Sequence, residues 1–232
     1  MKEYFNQNPN NILIHFTSKI EYLLSIIEES HFRLKYCKEE FYITNDKVVS
    51  KNVHPMVCFS EQNLAEIHNK DITYGRFGIS LSTDWIIKNN IQPVMYIEKN
   101  SSVAHSLAIL LEHRRSLPKG NKLRNPIMTI RGFVKNTIGY NSYFDKKDFV
   151  FKTENEWRYL PTKTQIGNGF ISENRSTFLK DEDKYNNRLL KYPLEFNHND
   201  ITKIYYDDDE SFNILKKKFP ELVNKMEKSP WK

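Results

Sequence analysis

Glycine is scarce in this chain of 232 residues. Only seven occur, and none falls in a GxxxxGK[ST] or GxGxxG arrangement, so neither the phosphate-cradling P-loop nor the dinucleotide fingerprint is supported. Cysteine is scarcer still: Cys37 and Cys58 stand apart with no CxxC, which argues against a disulfide scaffold and for a reducing compartment. The seven histidines show no HExxH or other ligand spacing, so zinc is not expected. No GxSxG nucleophile elbow is present either. Long apolar runs are missing; the longest, Leu107 to Leu111, is far short of the roughly 20 residues that span a bilayer. With no signal-like stretch at the N-terminus, these absences predict a cytoplasmic protein without a membrane partner.

Aromatic residues and charge are plentiful. Thirteen tyrosines and 15 phenylalanines exclude a disordered chain, and the length allows a real core. Lysine and arginine number 35 against 29 acidic residues, a formal net charge of +6. That balance suits a polyanionic partner but is too mild to select one. No linker, repeat or low-complexity segment divides the sequence, so the simplest architecture is one α+β domain over residues 1–232.

In chain order, Ile12 to Thr17 reads as a buried strand. A helix with Ile20, Leu23, Leu24 and Ile27 on one face follows it, with Ser18 and Glu21 in a capping-box pattern. His15 then stands at the carboxyl end of a strand, where α/β arrangements commonly bind ligands, although a core histidine satisfied by backbone groups fits equally well. Residues 31–54 read as loop with a short strand near Phe32 to Tyr36, and Pro55 to Ser60 as a clear strand. Cys58 fits a small core residue better than a nucleophile. Tyr74 to Ser82 places two glycines before an alternating strand. Gly78, Ser80 and Ser82 share a face that a planar ligand could approach; the plainer alternative is a bulge and a solvated face. A strand at Pro93 to Ile97 follows, then a helix over Val103 to Arg115 burying Leu107, Leu110 and Leu111. The basic stretch Arg114 to Arg124 is the best local candidate for a phosphate-rich partner, with a solvated loop as the commoner explanation. Residues 127–144 carry no clear pattern. Near the end, Asp200 to Tyr206 reads as a strand, and Phe212, Leu215 and Phe219 as a closing helix before a loose tail.

The stretch richest in chemistry is Phe149 to Leu160. As a continuous strand it would put Lys152, Glu154, Glu156 and Arg158 on one face, the two carboxylates about 6.5–7 Å apart. A charged outer face, or one helical turn pairing Glu154 with Arg158, explains the same pattern without function.

His-Phe-Thr at a strand end, Tyr-Gly-x-x-Gly before a small-residue strand and a late Glu-x-Glu together resemble the three-part signature of the ADP-ribosyltransferase superfamily. More closely, His15 to Thr17, Met56 to Ser60, Tyr74 to Ser82 and Glu156-Trp157-Arg158 look like the AbiGi family of abortive-infection, anti-phage proteins. The transferase resemblance implies a mixed, mostly antiparallel split sheet with flanking helices and NAD as a substrate. It implies that His15, Phe16 and Thr17 hold the adenosine ribose, that Tyr74, Gly78 and Ser80 line the nicotinamide pocket, and that Arg158 supports it. Glu156 would stabilise positive charge on the ribose as the glycosidic bond breaks, and Glu154 would orient or deprotonate an acceptor, in this reading a nucleic acid. The sequence departs from that pattern in lacking a Ser-Thr-Ser run. The AbiGi resemblance implies a different class, a catalytically silent antitoxin that binds a cognate toxin.

Overall fold

The structure, a computed structural model, describes residues 1–69, 72, 74–141 and 145–231. It is a mixed α+β protein whose main sheet is mostly antiparallel. The chain forms two compact units. The first comprises Met1–Phe32, Cys58–Ile91 and Leu194–Lys232, and the second Arg33–Val57 and Gln92–Pro193.

In the first unit, the strand Asn11–Thr17 pairs antiparallel with Phe77–Leu81 on one side and with the end of the long strand Val48–Asn63 on the other. Ile201–Tyr206 lies beyond Phe77–Leu81, antiparallel to it, and Met226–Lys228 closes that edge in parallel. The strand reading of Ile12 to Thr17 holds because its residues pack on both sheet faces. Ile14 joins Ile67, Tyr205 and Trp231 on one side, while His15 meets Phe32 and Phe59 on the other. The helix Ile20–Glu29 buries Leu23 and Ile27 as expected, but it starts at an extended Lys19 with no side-chain cap, so the Ser18 capping box is not formed. Ser82 does cap its helix, accepting a hydrogen bond from the Trp85 amide. The tail is ordered by burial: Trp231 packs against Phe16 and Tyr205, and its Nε1 donates to the Gly75 carbonyl.

The second unit corrects several expectations. Residues 31–54 are not mainly loop, since Lys35–Tyr42 forms a long antiparallel hairpin with Val48 to Met56, with a register shift between Phe41 and Tyr42. Charged residues hid these strands, because the hairpin sends side chains of mixed polarity into the interior. Phe41 and Ile43 enter the apolar core and Glu39 an ion cluster. Pro93 to Ile97 splits into Gln92–Pro93, which pairs with Glu156–Tyr159, and Met95–Ile97, which runs parallel to Val134–Asn136. The helix Ser102–Ser116 buries Leu107 and Leu111 but leaves Leu110 exposed. The unpatterned stretch 127–144 holds most of the helix Arg124–Gly132 and the strands Val134–Asn136 and Ile138–Asn141; its residues 142–144 lie outside the described residues.

Phe149 to Leu160 is not one strand. Lys146–Val150 ends a hairpin, Phe151–Glu154 is a 3-10 turn, and Asn155 adopts φ 45°, ψ 50° before a new strand, Glu156–Tyr159, begins. Left-handed backbone is open to asparagine at lower cost than to most residues, and here it reverses the chain between the two glutamates.

Candidate functional site

The sequence-nominated residues fall into two groups, one in each compact unit. In the second unit, Glu154 arrives from the 3-10 turn and Glu156 and Arg158 from the strand that follows. Two residues apart on one strand, Glu156 and Arg158 share a face, and there the arginine grips the glutamate with both prongs: Nε donates to Oε1 at 2.7 Å and Nη2 to Oε2 at 3.0 Å. The rest of the guanidinium is also engaged, since Nη2 donates to Glu39 Oε1 at 2.7 Å and Nη1 to the Gly132 carbonyl at 2.5 Å. Lys135 bridges the carboxylates, donating to Glu154 Oε2 at 2.8 Å and Glu156 Oε2 at 3.0 Å, with its Nζ 4.3 Å from the centre of the Phe151 ring. Arg158 is fully buried, and Glu39, Glu154 and Glu156 each keep only 8% of their surface.

Glu154 and Glu156 share one lysine in a buried site. Burial, followed by the charge of Glu156, pushes Glu154 up to about 9, against the opposing pull of Arg158. Glu154 therefore holds a proton at neutral pH. A neutral Glu154 cannot act as a ready base at that pH.

Beneath this cluster, His54 is buried with Nδ1 3.1 Å from the Ile171 carbonyl, and burial plus the charges of Arg131 and Arg158 hold it well below the usual histidine range. It is a neutral core ring.

In the first unit, the strand register decides what the nominated residues can do. Phe16 faces Gly78, Ile14 faces Ser80 and His15 faces Ile79. Directly opposed residues in an antiparallel pair point to the same side. Gly78 and Ser80 therefore share the side of Ile14 and Phe16, whereas His15 and Thr17 project to the other. A Cβ on Gly78 would meet Ile14 Cγ2 at 2.7 Å, and Ser80 is buried, so the small-residue face is packed against the sheet's own core and not open. His15 Nδ1 lies 2.8 Å from the Cys58 carbonyl, an acceptor only, so that nitrogen carries the ring proton. The ring is partly buried against Phe32 and Phe59, and desolvation lowers its pKa. Thr17 Oγ1 donates to the Lys19 carbonyl. Tyr74 leads into Gly75, whose φ of 123° and approach to Thr17 leave no room for a side chain: a Cβ would sit 2.2 Å from the Thr17 carbonyl oxygen.

The chain matches the family model described as putative abortive phage resistance protein AbiGi, antitoxin, over residues 30–207. It belongs to the AbiGi family. An abortive phage resistance protein AbiGi of Lactococcus lactis subsp. cremoris is 29% identical over 126 residues, covering 46% of this chain and 51% of that protein. The chain thus spans about half the length of the curated relative it matches. No solved structure matches.

The AbiGi match includes Tyr74, Gly78, Ser80, Glu154, Glu156 and Arg158, and it excludes His15, Phe16 and Thr17, which had contributed to the resemblance. Sequence reasoning missed Glu39 and Lys135, the outer members of the ion cluster, and both are also inside the matched region. Glu39 was masked by a segment without apolar alternation, and Lys135 lay in the stretch that gave no pattern. A usable signal was the excess itself, since a carboxylate pair beside one arginine calls for a further cation.

Proposed function

We propose that this AbiGi-family chain works in the bacterial cytoplasm as the non-catalytic, antitoxin half of an anti-phage defence pair, binding a cognate protein and not turning over NAD. The observation that carries this reading is the engagement of Glu156. Both of its oxygens receive hydrogen bonds from Arg158 and one also from Lys135, in a site where Arg158 is fully buried. A carboxylate that is to stabilise a developing oxocarbenium ion must be stronger toward the transition state than toward its ground-state partners. Here fixed cations already satisfy it. The word antitoxin in the family's description points the same way.

One observation favours the transferase reading, in which NAD is the substrate of an ADP-ribosyltransferase-like fold and a nucleic acid the acceptor. A carboxyl raised to about 9 beside an ionised one is the kind of split pair that acid-base sites use. Incubating purified protein with NAD and following nicotinamide separates the two readings. No release above the level of Glu156→Gln is expected, and release that this substitution abolishes in a folded variant would overturn the antitoxin reading.

A further inference from the structure

Within the second unit, away from the carboxylate cluster's own partners, a cavity of about 470 Å³ opens between the strand Val48–Asn63, the end of helix Ser102–Ser116 and the start of helix Arg124–Gly132. Its lining brings together Lys51, Arg114, Arg115 and Arg124 against one carboxylate, Glu173. Two of the arginines are fixed from behind by backbone oxygens. Arg124 Nη1 donates to the Arg114 and Leu117 carbonyls at 2.8 and 2.6 Å, and Arg115 Nη2 to the Val49 carbonyl at 2.5 Å. Arg114 differs from them, because its Nε is buried and has no hydrogen-bond partner among the described residues. Burial, then repulsion from Arg124 and Arg115, lowers its pKa. A buried donor left unmet and a cluster of like charges both cost free energy, and an anion relieves both at once.

We propose that this cavity is a binding site for a nucleotide phosphate, carried either by a free mononucleotide or by a unit of single-stranded RNA. An arginine fork such as that of Arg114 suits phosphate oxygens, and Lys51, which lies 3.7 Å from Glu40, and Arg115 add charge to the lining. The volume exceeds what a bare phosphate fills and lies within the roughly 300–1,000 Å³ typical of small-ligand sites. Leu111 and Met128, both nearly buried in the core, form the apolar floor of the cavity. The site does not depend on the antitoxin reading and needs no catalysis.

Isothermal titration with inorganic phosphate, adenosine monophosphate and a short uridine oligonucleotide tests it. The nucleotide or the oligonucleotide should bind, and inorganic phosphate should bind more weakly than either. For RNA, log K should fall with log salt at a slope of about −3 if all four cations each neutralise a phosphate, and a free nucleotide should show a shallower dependence. Arg114→Gln should weaken binding by about tenfold or more. Lys51→Glu should weaken it too, and because the Lys51 side chain is 56% exposed this variant reports on the site even where Arg114→Gln perturbs folding. Lys146→Gln, an exposed change on a hairpin that does not line the cavity, should leave affinity unchanged. Absence of binding by both nucleotide probes, inorganic phosphate binding as tightly as they do, or equal affinity of the native, Arg114→Gln and Lys51→Glu proteins would overturn the proposal.

Discussion

Glu154 and Arg158 make opposite predictions from one cluster. The folded state keeps Glu154 protonated up to about pH 9, whereas an unfolded glutamate releases its proton near its ordinary value of 4.5. Above pH 4.5 the unfolded chain therefore binds fewer protons than the folded one, and stability is lost progressively as pH rises toward 9. Glu154→Gln keeps the shape of the neutral acid and removes that loss. It should leave stability nearly unchanged at pH 4.5 and raise it by on the order of 1–4 kcal/mol at pH 8, read by urea denaturation at both pH values. Arg158→Met should instead cost about 3–5 kcal/mol at pH 7, because it removes the arginine partner of buried Glu39 and leaves buried Glu156 with Lys135 alone. That cost should shrink in acid as the stranded groups take up protons, and a pH-independent loss would show that packing, not charge, holds Arg158 in place.

At the level of elements, the turn between the two glutamates matters more than the strand after it. Asn155 sits at φ 45° between the 3-10 turn and Glu156, and this left-handed residue lets Glu154 and Glu156 meet the same lysine although they do not share a strand. A β-branched side chain resists that conformation, so Asn155→Val should destabilise the protein by about 1–2 kcal/mol, whereas Asn155→Gly should be close to neutral. Thermal melts of the two variants check this, and equal melting temperatures would remove the role assigned to the turn. The long hairpin of residues 35–56 shows why pattern reading failed there. Its central residues Glu39, Ser50 and His54 are buried and polar, held by Arg158, Arg131 and the Ile171 carbonyl respectively, so no apolar alternation marks the strand.

On the scale of the whole molecule, each compact unit has its own core, built from Ile14, Ile67, Tyr205 and Trp231 in one and from Phe41, Leu107, Met128, Val134 and their neighbours in the other. Trp231 anchors the tail of the first unit. Trp231→Ala removes a 1% exposed side chain that touches Phe16 and Tyr205, and should cost about 3–5 kcal/mol. Hydrogen exchange should then lose protection in Ile201–Tyr206 and Phe77–Leu81, the strands that share its packing and pairing. Unchanged protection in those strands would mean that the tail is only laid on the surface.

The sequence by itself determined the strands at Ile12 to Thr17, Pro55 to Ser60, Phe77 to Leu81 and Ile201 to Tyr206, and the helices after residues 19, 101 and 208. Each has a regular apolar period or a local cap, and such signals act over a few residues. It also singled out Glu154, Glu156 and Arg158 and the likeness to AbiGi, because short motifs survive in one dimension. Only the tertiary structure decided that Glu39 and Lys135 complete the ion cluster, that His15 and Ser80 point to opposite sides of a sheet, and that Arg114, Arg124 and Lys51 face one cavity. Those outcomes depend on register, on one left-handed residue and on pairings across dozens of residues. Burial and charge balance, not local propensity, set them.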